Sequence, residues 1–158
     1  FIGYSLGVFG AERCQETYRR TRRVMEESGL CGNERLRDAI RRLGACCETI
    51  LLSNSDAETA QKLLKQLGYD GLFKREGFSV EKPYGLVDAL GYCLPCALEH
   101  PQAVLAIGDH AYNDLEPLRR LGCRTLWMNP YSGIREPAYD ISLKTLDELA
   151  DYLSGLCG

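Results

Sequence analysis

A three-layer α/β/α domain on a mainly parallel sheet is the fold class this sequence predicts. Three observations predict it. The runs at residues 49–52, 103–107 and 124–128 are short and largely apolar, as strands covered on both faces are. The stretches between them carry apolar residues at helical spacing. The two kinds of segment alternate along the chain, the signature of parallel strands joined by crossover helices.

The elements follow in order. Residues 11–28 read as a helix with Cys14, Tyr18, Thr21, Met25 and Ser28 on one stripe, stopped by Gly29. Residues 34–43 read as a second helix, capped by Asn33 and ended by Gly44. Strand 49–52 leads into a helix announced by Ser55 and Glu58 in capping-box spacing. Its buried stripe is Ala57, Ala60, Leu63, Leu64 and Leu67, and Gly68 stops it. A short strand is expected at 78–80. Lys82-Pro83 then opens a helix with Leu86, Val87 and Leu90 facing inward. Strand 103–107 precedes a helix over 113–121, with Pro117 in its first turn and Leu115, Leu118 and Leu121 apolar. Strand 124–128 follows Gly122. A last helix over 143–153 spaces Leu143, Leu146, Leu149 and Leu153 for burial.

Size and charge narrow the function. The 158 residues suffice for one domain, with residues 33–158 as its core. Net charge is −3, so no global basic field favours nucleic acid. Residues 1–44 hold nine Arg and six Asp or Glu, but Glu12, Glu16, Glu26 and Glu27 interleave with the arginines as on a solvated helix face. No apolar run approaches the ~18 residues of a membrane span, and no signal peptide is visible. The eight cysteines therefore read as mostly buried thiols of a reduced, cytoplasmic protein. Cys93-Leu-Pro-Cys96 lacks a second pair at zinc spacing, so neither a metal nor a redox role is assigned to it.

Function is read at the strand ends, where the working residues of such sheets lie. Ser53 and Asn54 follow the strand at 49–52, Lys82 follows 78–80, and Asp109 and Asp114 follow 103–107. A hydroxyl with nearby amides holds phosphate oxygens, an ammonium neutralises them, and two carboxylates hold Mg²⁺. Taken singly, Ser53 reads equally as a turn residue, Lys82 as a surface lysine and Asp114 as a helix-start acid. His110 is read as a loop residue.

In this order the motifs resemble the haloacid dehalogenase-like (HAD-like) hydrolase superfamily, Rossmann-like proteins that are mostly Mg²⁺-dependent phosphatases. Ile50-Leu51-Leu52-Ser53-Asn54 resembles its second motif, Glu81-Lys82-Pro83 its third, and Gly108-Asp109 with Asp114 its fourth. Residues 121–130 resemble the strand and loop that come next. The resemblance runs from about residue 33 to the C-terminus and implies phosphate-ester hydrolysis. Ser53, Asn54 and Lys82 would hold the phosphate of a small phosphorylated molecule, Ser53 and Lys82 as catalytic groups, and Asp109 and Asp114 the Mg²⁺. The expected fold has little or no cap domain.

The family's first motif, Asp-x-Asp with a nucleophilic first aspartate, has no counterpart. No Asp precedes Asp38, and in residues 1–9 Tyr4 and Leu6 stand where the aspartates belong. Two readings stay open. Residues 1–32 are a degenerate first strand plus helix, or they are the remnant of a cap whose nucleophile strand lies upstream of a chain that starts at Phe1. A parallel sheet lacking its central strand leaves two unpaired edges, which weighs toward the first. The accompanying alternative to hydrolysis is an inactive pseudo-enzyme that acts as a binding or interaction module.

Overall fold

The computed structural model of the chain describes Glu16, Thr17, Arg20, Arg23, residues 29–129 and residues 139–156. The chain divides into two units, Phe1–Cys31 and Gly32–Gly158. In the first, Glu16, Thr17, Arg20 and Arg23 are helical and exposed, within the helix expected at 11–28, and Gly29 has φ +60° where that helix was expected to stop. Residues 1–9 and the stripe of Cys14, Tyr18, Thr21, Met25 and Ser28 lie outside the described residues.

The second unit runs α1 (Glu34–Cys46), β1 (Ile50–Leu52), α2 (Ala57–Leu67), β2 (Arg75–Gly77), α3 (Leu86–Cys93), α4 (Cys96–Glu99), β3 (Leu105–Gly108), α5 (Glu116–Leu121), β4 (Arg124–Met128), β5 (Ile141–Leu143) and α6 (Leu146–Gly155). Every described strand pair is parallel, as the alternation predicts. β1 pairs with β2, and β4 lies between β3 and β5.

Helices cover both faces, making the predicted three layers. On one face Leu86 and Leu90 of α3, Ala97 of α4 and Leu118 of α5 pack with Leu115 against Ala106 and Trp127 of the sheet. On the other, Leu36 and Ala39 of α1 and Leu149, Ala150 and Leu153 of α6 pack on Leu126. Adjacent residues of β4 thus serve opposite cores, as the two-residue period of a strand requires. Leu126 is fully buried, worth about 1.5–3 kcal/mol of transfer free energy.

Asn33 caps α1 as expected, its side-chain oxygen accepting from Leu36 N at 2.9 Å. Several boundaries differ from the sequence reading, each for a local reason. α1 passes Gly44 and ends at Cys46, closed by a bond from Cys47 N to Leu43 O at 2.8 Å. Glycine only weakens a helix interior, by about 1 kcal/mol. The cap of α2 is Asp56, which accepts from Thr59 N at 2.9 Å. The Ser55 amide turns back onto Ser53 Oγ instead, at 3.1 Å, and Ala57 is left exposed. The strand expected at 78–80 lies earlier, at Arg75–Gly77. Lys82-Pro83 sits in a turn with a cis peptide bond, before a helix that starts at Leu86. Leu143 belongs to β5, not to the last helix, which begins after a Thr145–Glu148 capping box and leaves Leu146 exposed.

Cysteine burial also departs from expectation. Cys93 and Cys123 are free and buried, but Cys31, Cys47 and Cys96 are free and exposed, and Cys46 is disulfide-bonded. No described helix is long and apolar enough to cross a membrane.

β4 and β5 are clasped by one carboxylate. Asp140 Oδ2 accepts from Thr125 N at 2.7 Å and from Thr125 Oγ1 at 2.9 Å, and Thr125 is fully buried. These bonds hold the Asp140 carboxyl below its ordinary value. A group lowered on folding stabilises above its unfolded pKa, and that stability is lost as pH falls through the folded one. Thermal unfolding of Asp140→Asn should therefore depend less on pH than wild type below about pH 4. Identical acid slopes for the two proteins would contradict this role.

Candidate functional site

The site is built from three loops, each leaving the C-terminal end of a strand. The first carries Ser53 and Asn54. Ser53 is fixed by its main chain, with its N–H donating to Gly77 O at 2.9 Å and its carbonyl accepting from Val80 N at 3.0 Å. Its hydroxyl oxygen accepts from Ser55 N, which leaves the hydroxyl proton to donate elsewhere.

The second loop delivers Lys82. Ser79 and Glu81 have φ of +53° and +59°, a left-handed conformation unusual outside glycine. The first loop holds them there. Ser79 N donates to Ser55 O at 2.9 Å, and Lys82 N donates to Asn54 Oδ1 at 2.7 Å. Asn54 Nδ2 donates to Lys82 O at 3.4 Å. The Asn54 amide thus grips the Lys82 main chain from both sides, and Asn54 positions the lysine. Strain of this kind persists only where neighbouring contacts over-determine it.

The third loop carries Asp109 and Asp114. Between them the chain makes a wide turn at Ala111–Leu115 that runs into α5. His110 caps that turn through Nδ1, which accepts from Asn113 N at 3.3 Å. Asp114 Oδ2 accepts from His110 N at 3.0 Å, and Oδ1 pairs with Lys82 Nζ at 2.9 Å. Both side chains of this pair are well shielded, 15% and 14% exposed. Asp109 is exposed, and its carbonyl accepts from the indole N–H of buried Trp127 at 3.0 Å.

Of the residues read from the sequence, Lys82 and Asp114 are in direct contact, and Ser53 and Asn54 are tied to the lysine's segment. Asp109 does not join them. The expected Mg²⁺ site fits these donors poorly. The lysine ammonium already stands against Asp114, whose other oxygen holds the loop. Among the described residues no group of three or more His, Cys, Asp or Glu converges.

Below this cluster lies an apolar cavity of about 610 Å³. Residues of β1 and β3 line it, with Leu86 and Leu90 of α3 and with Lys82 and Asp114. Glu48 and Arg124 line it too, at the N-terminal ends of the strands.

Sequence reasoning missed Asn54 as a positioning residue, Trp127 as the anchor of the Asp109 loop, and Gly108. A Cβ on Gly108 would collide with Cβ of Asp114 and lie 3.0 Å from its Cγ and Oδ2. The Gly-Asp signal was visible, but the reason for the glycine is a contact six residues away.

No protein-family model and no curated protein matches the chain. Solved structures do. A HAD phosphatase from Thermococcus onnurineus is similar at 20% identity and TM-score 0.61, over 76% of this chain and 55% of that one. A haloacid dehalogenase-like family hydrolase from Xanthomonas campestris is similar at 17% identity and TM-score 0.59, over 99% of this chain and 67% of that one. YfnB from Bacillus subtilis, whose crystal structure is bound to magnesium, is similar at 26% identity and TM-score 0.56, over 73% of this chain and 52% of that one. The chain has the haloacid dehalogenase-like fold. It spans little more than half the length of the Thermococcus and Bacillus proteins. Within this HAD-like core, Lys82 and Asp114 come from loops that the sequence separates by 32 residues.

Gly108→Ala should push Asp114 off Lys82 and destabilise the chain by about 1–3 kcal/mol in urea unfolding. A change within about 0.5 kcal/mol, the range of a neutral surface substitution, would show that the glycine is not needed there.

Proposed function

We propose that this HAD-like chain is a non-catalytic module that binds a small phosphorylated molecule at the Ser53–Lys82 end of its sheet. The observation that carries this reading is the Lys82–Asp114 pair at 2.9 Å. Asp114 is the carboxylate that reaches the cluster, and both its oxygens are engaged by hydrogen bonds. It is not poised to attack phosphorus. The Lys82 ammonium has three donors, one of which is used on Asp114. The others, with the Ser53 hydroxyl, suit phosphate oxygens through charge-assisted hydrogen bonds.

A second reading, phosphate-ester hydrolysis, is favoured by one observation. The three loops converge at one sheet end, as expected of a fold shared with the Thermococcus phosphatase and the magnesium-bound Bacillus protein. On that reading the attacking carboxylate comes from outside the described residues.

Two measurements on the 158-residue chain separate the readings. Phosphorus NMR titration should detect binding of inorganic phosphate, weakened about tenfold or more in Lys82→Met through loss of the charge-assisted bond. 4-Nitrophenyl phosphate with Mg²⁺ should not turn over above the buffer rate. Turnover that disappears in Asp109→Asn would overturn the non-catalytic reading. Phosphate binding that Lys82→Met leaves unchanged would remove the site itself.

A further inference from the structure

The two loops that join through Lys82 and Asp114 are joined a second time. Tyr84 lies two residues past Lys82, and Tyr112 lies two before Asp114. Their side chains are hydrogen-bonded to each other, which raises the Tyr112 hydroxyl above its ordinary value. The first link is shielded and the second is open to solvent. Tyr84 is 85% exposed and Tyr112 57%.

Both tyrosines sit on fixed backbone. The Glu81 carbonyl accepts from Tyr84 N at 3.1 Å and from Gly85 N at 3.2 Å, so one turn carries Lys82 and Tyr84 together. Gly85 has no room for a side chain, since a Cβ there would collide with Val80 O. The Ala111–Leu115 turn, capped by His110, carries Tyr112 and Asp114 together. A ligand held by the Lys82 ammonium therefore sits at the turns that carry two aromatic rings, and little ordering of those turns is left to do on binding. An exposed aromatic residue by itself calls for no explanation, and Tyr92, 91% exposed on α3, is such a case. A linked pair on two loops of one polar cluster is different.

The pair also favours one kind of ligand. With the hydroxyls engaged on each other, what the tyrosines offer is ring surface, and a sugar alcohol would find few partners there for its own hydroxyls. A planar aromatic group needs only faces and edges to pack on. Resting on the phosphate-binding reading above, we propose that Tyr84 and Tyr112 form the subsite for the organic part of the ligand, and that the ligand is a phosphate ester of an aromatic group.

The test is calorimetric titration of the full 158-residue chain with inorganic phosphate, ethyl phosphate and phenyl phosphate at one ionic strength. Phenyl phosphate should bind about tenfold or more tighter than ethyl phosphate, within the range that stacking on an aromatic side chain supplies. Replacing both rings, Tyr84→Ala with Tyr112→Ala, should weaken phenyl phosphate to the level of the ethyl ester. Tyr84→Phe with Tyr112→Phe keeps the rings and should keep the preference. Adenosine 5′-monophosphate, whose ring stands a ribose away from the phosphate, separates two sources of the aromatic group. Tighter binding than phenyl phosphate assigns a nucleotide, and weaker binding a short aryl ester. Equal binding of the phenyl and ethyl esters overturns the proposal, as does a preference that survives loss of both rings. Failure of the phosphate reading is a separate result, in which Lys82→Met leaves inorganic phosphate binding unchanged or the wild-type chain shows none. The subsite then falls with it.

Discussion

One ion pair ties the working end of this molecule together. Lys82 leaves the β1–β2 sheet and Asp114 leaves the β3–β4–β5 sheet, and among the described residues no strand joins the two. The sheets share a core through Leu86, Leu90 and Leu118, which is non-directional and would tolerate some sliding. The Lys82–Asp114 contact is directional and shielded. Losing either partner would strand a charge in a poorly solvated place, at about 3–5 kcal/mol for a fully buried pair. Asn54 behind the lysine, His110 N and Gly108 behind the carboxylate all serve to hold that one geometry.

The same pair decides how the site is read. In a phosphatase of this fold class, strand-end carboxylates are expected to face a cation. Here the ammonium of Lys82 is the cation on Asp114, and Asp109 is turned to solvent. On the proposed reading, phosphate recognition needs donors, which Ser53 and Lys82 have. On the same reading, hydrolysis needs a further carboxylate. The haloacid dehalogenase-like fold therefore speaks to architecture, not to the reaction.

Much of this was legible in the sequence because it is local. Ser53, Lys82, Asp109 and Asp114 each follow an apolar run or a strand-like segment, and parallel sheets gather such positions at one end. Asn33, Gly68 and Gly122 stop or start helices through bonds within a few residues. What was not legible depends on contacts between distant segments. Asn54 acts on Lys82, Trp127 acts on the Asp109 loop, and Gly108 makes room for Asp114. β2, with the sequence Arg-Glu-Gly, carries no apolar signal, and β5, Ile-Ser-Leu, is apolar but only three residues long.

The most direct test of the account is a crystal structure of the 158-residue chain grown with phosphate and Mg²⁺. The account predicts a phosphate within hydrogen-bond distance of Ser53 Oγ and Lys82 Nζ, with Lys82 still on Asp114. A magnesium ion held by Asp109 and Asp114, with Lys82 displaced from the carboxylate, would contradict it.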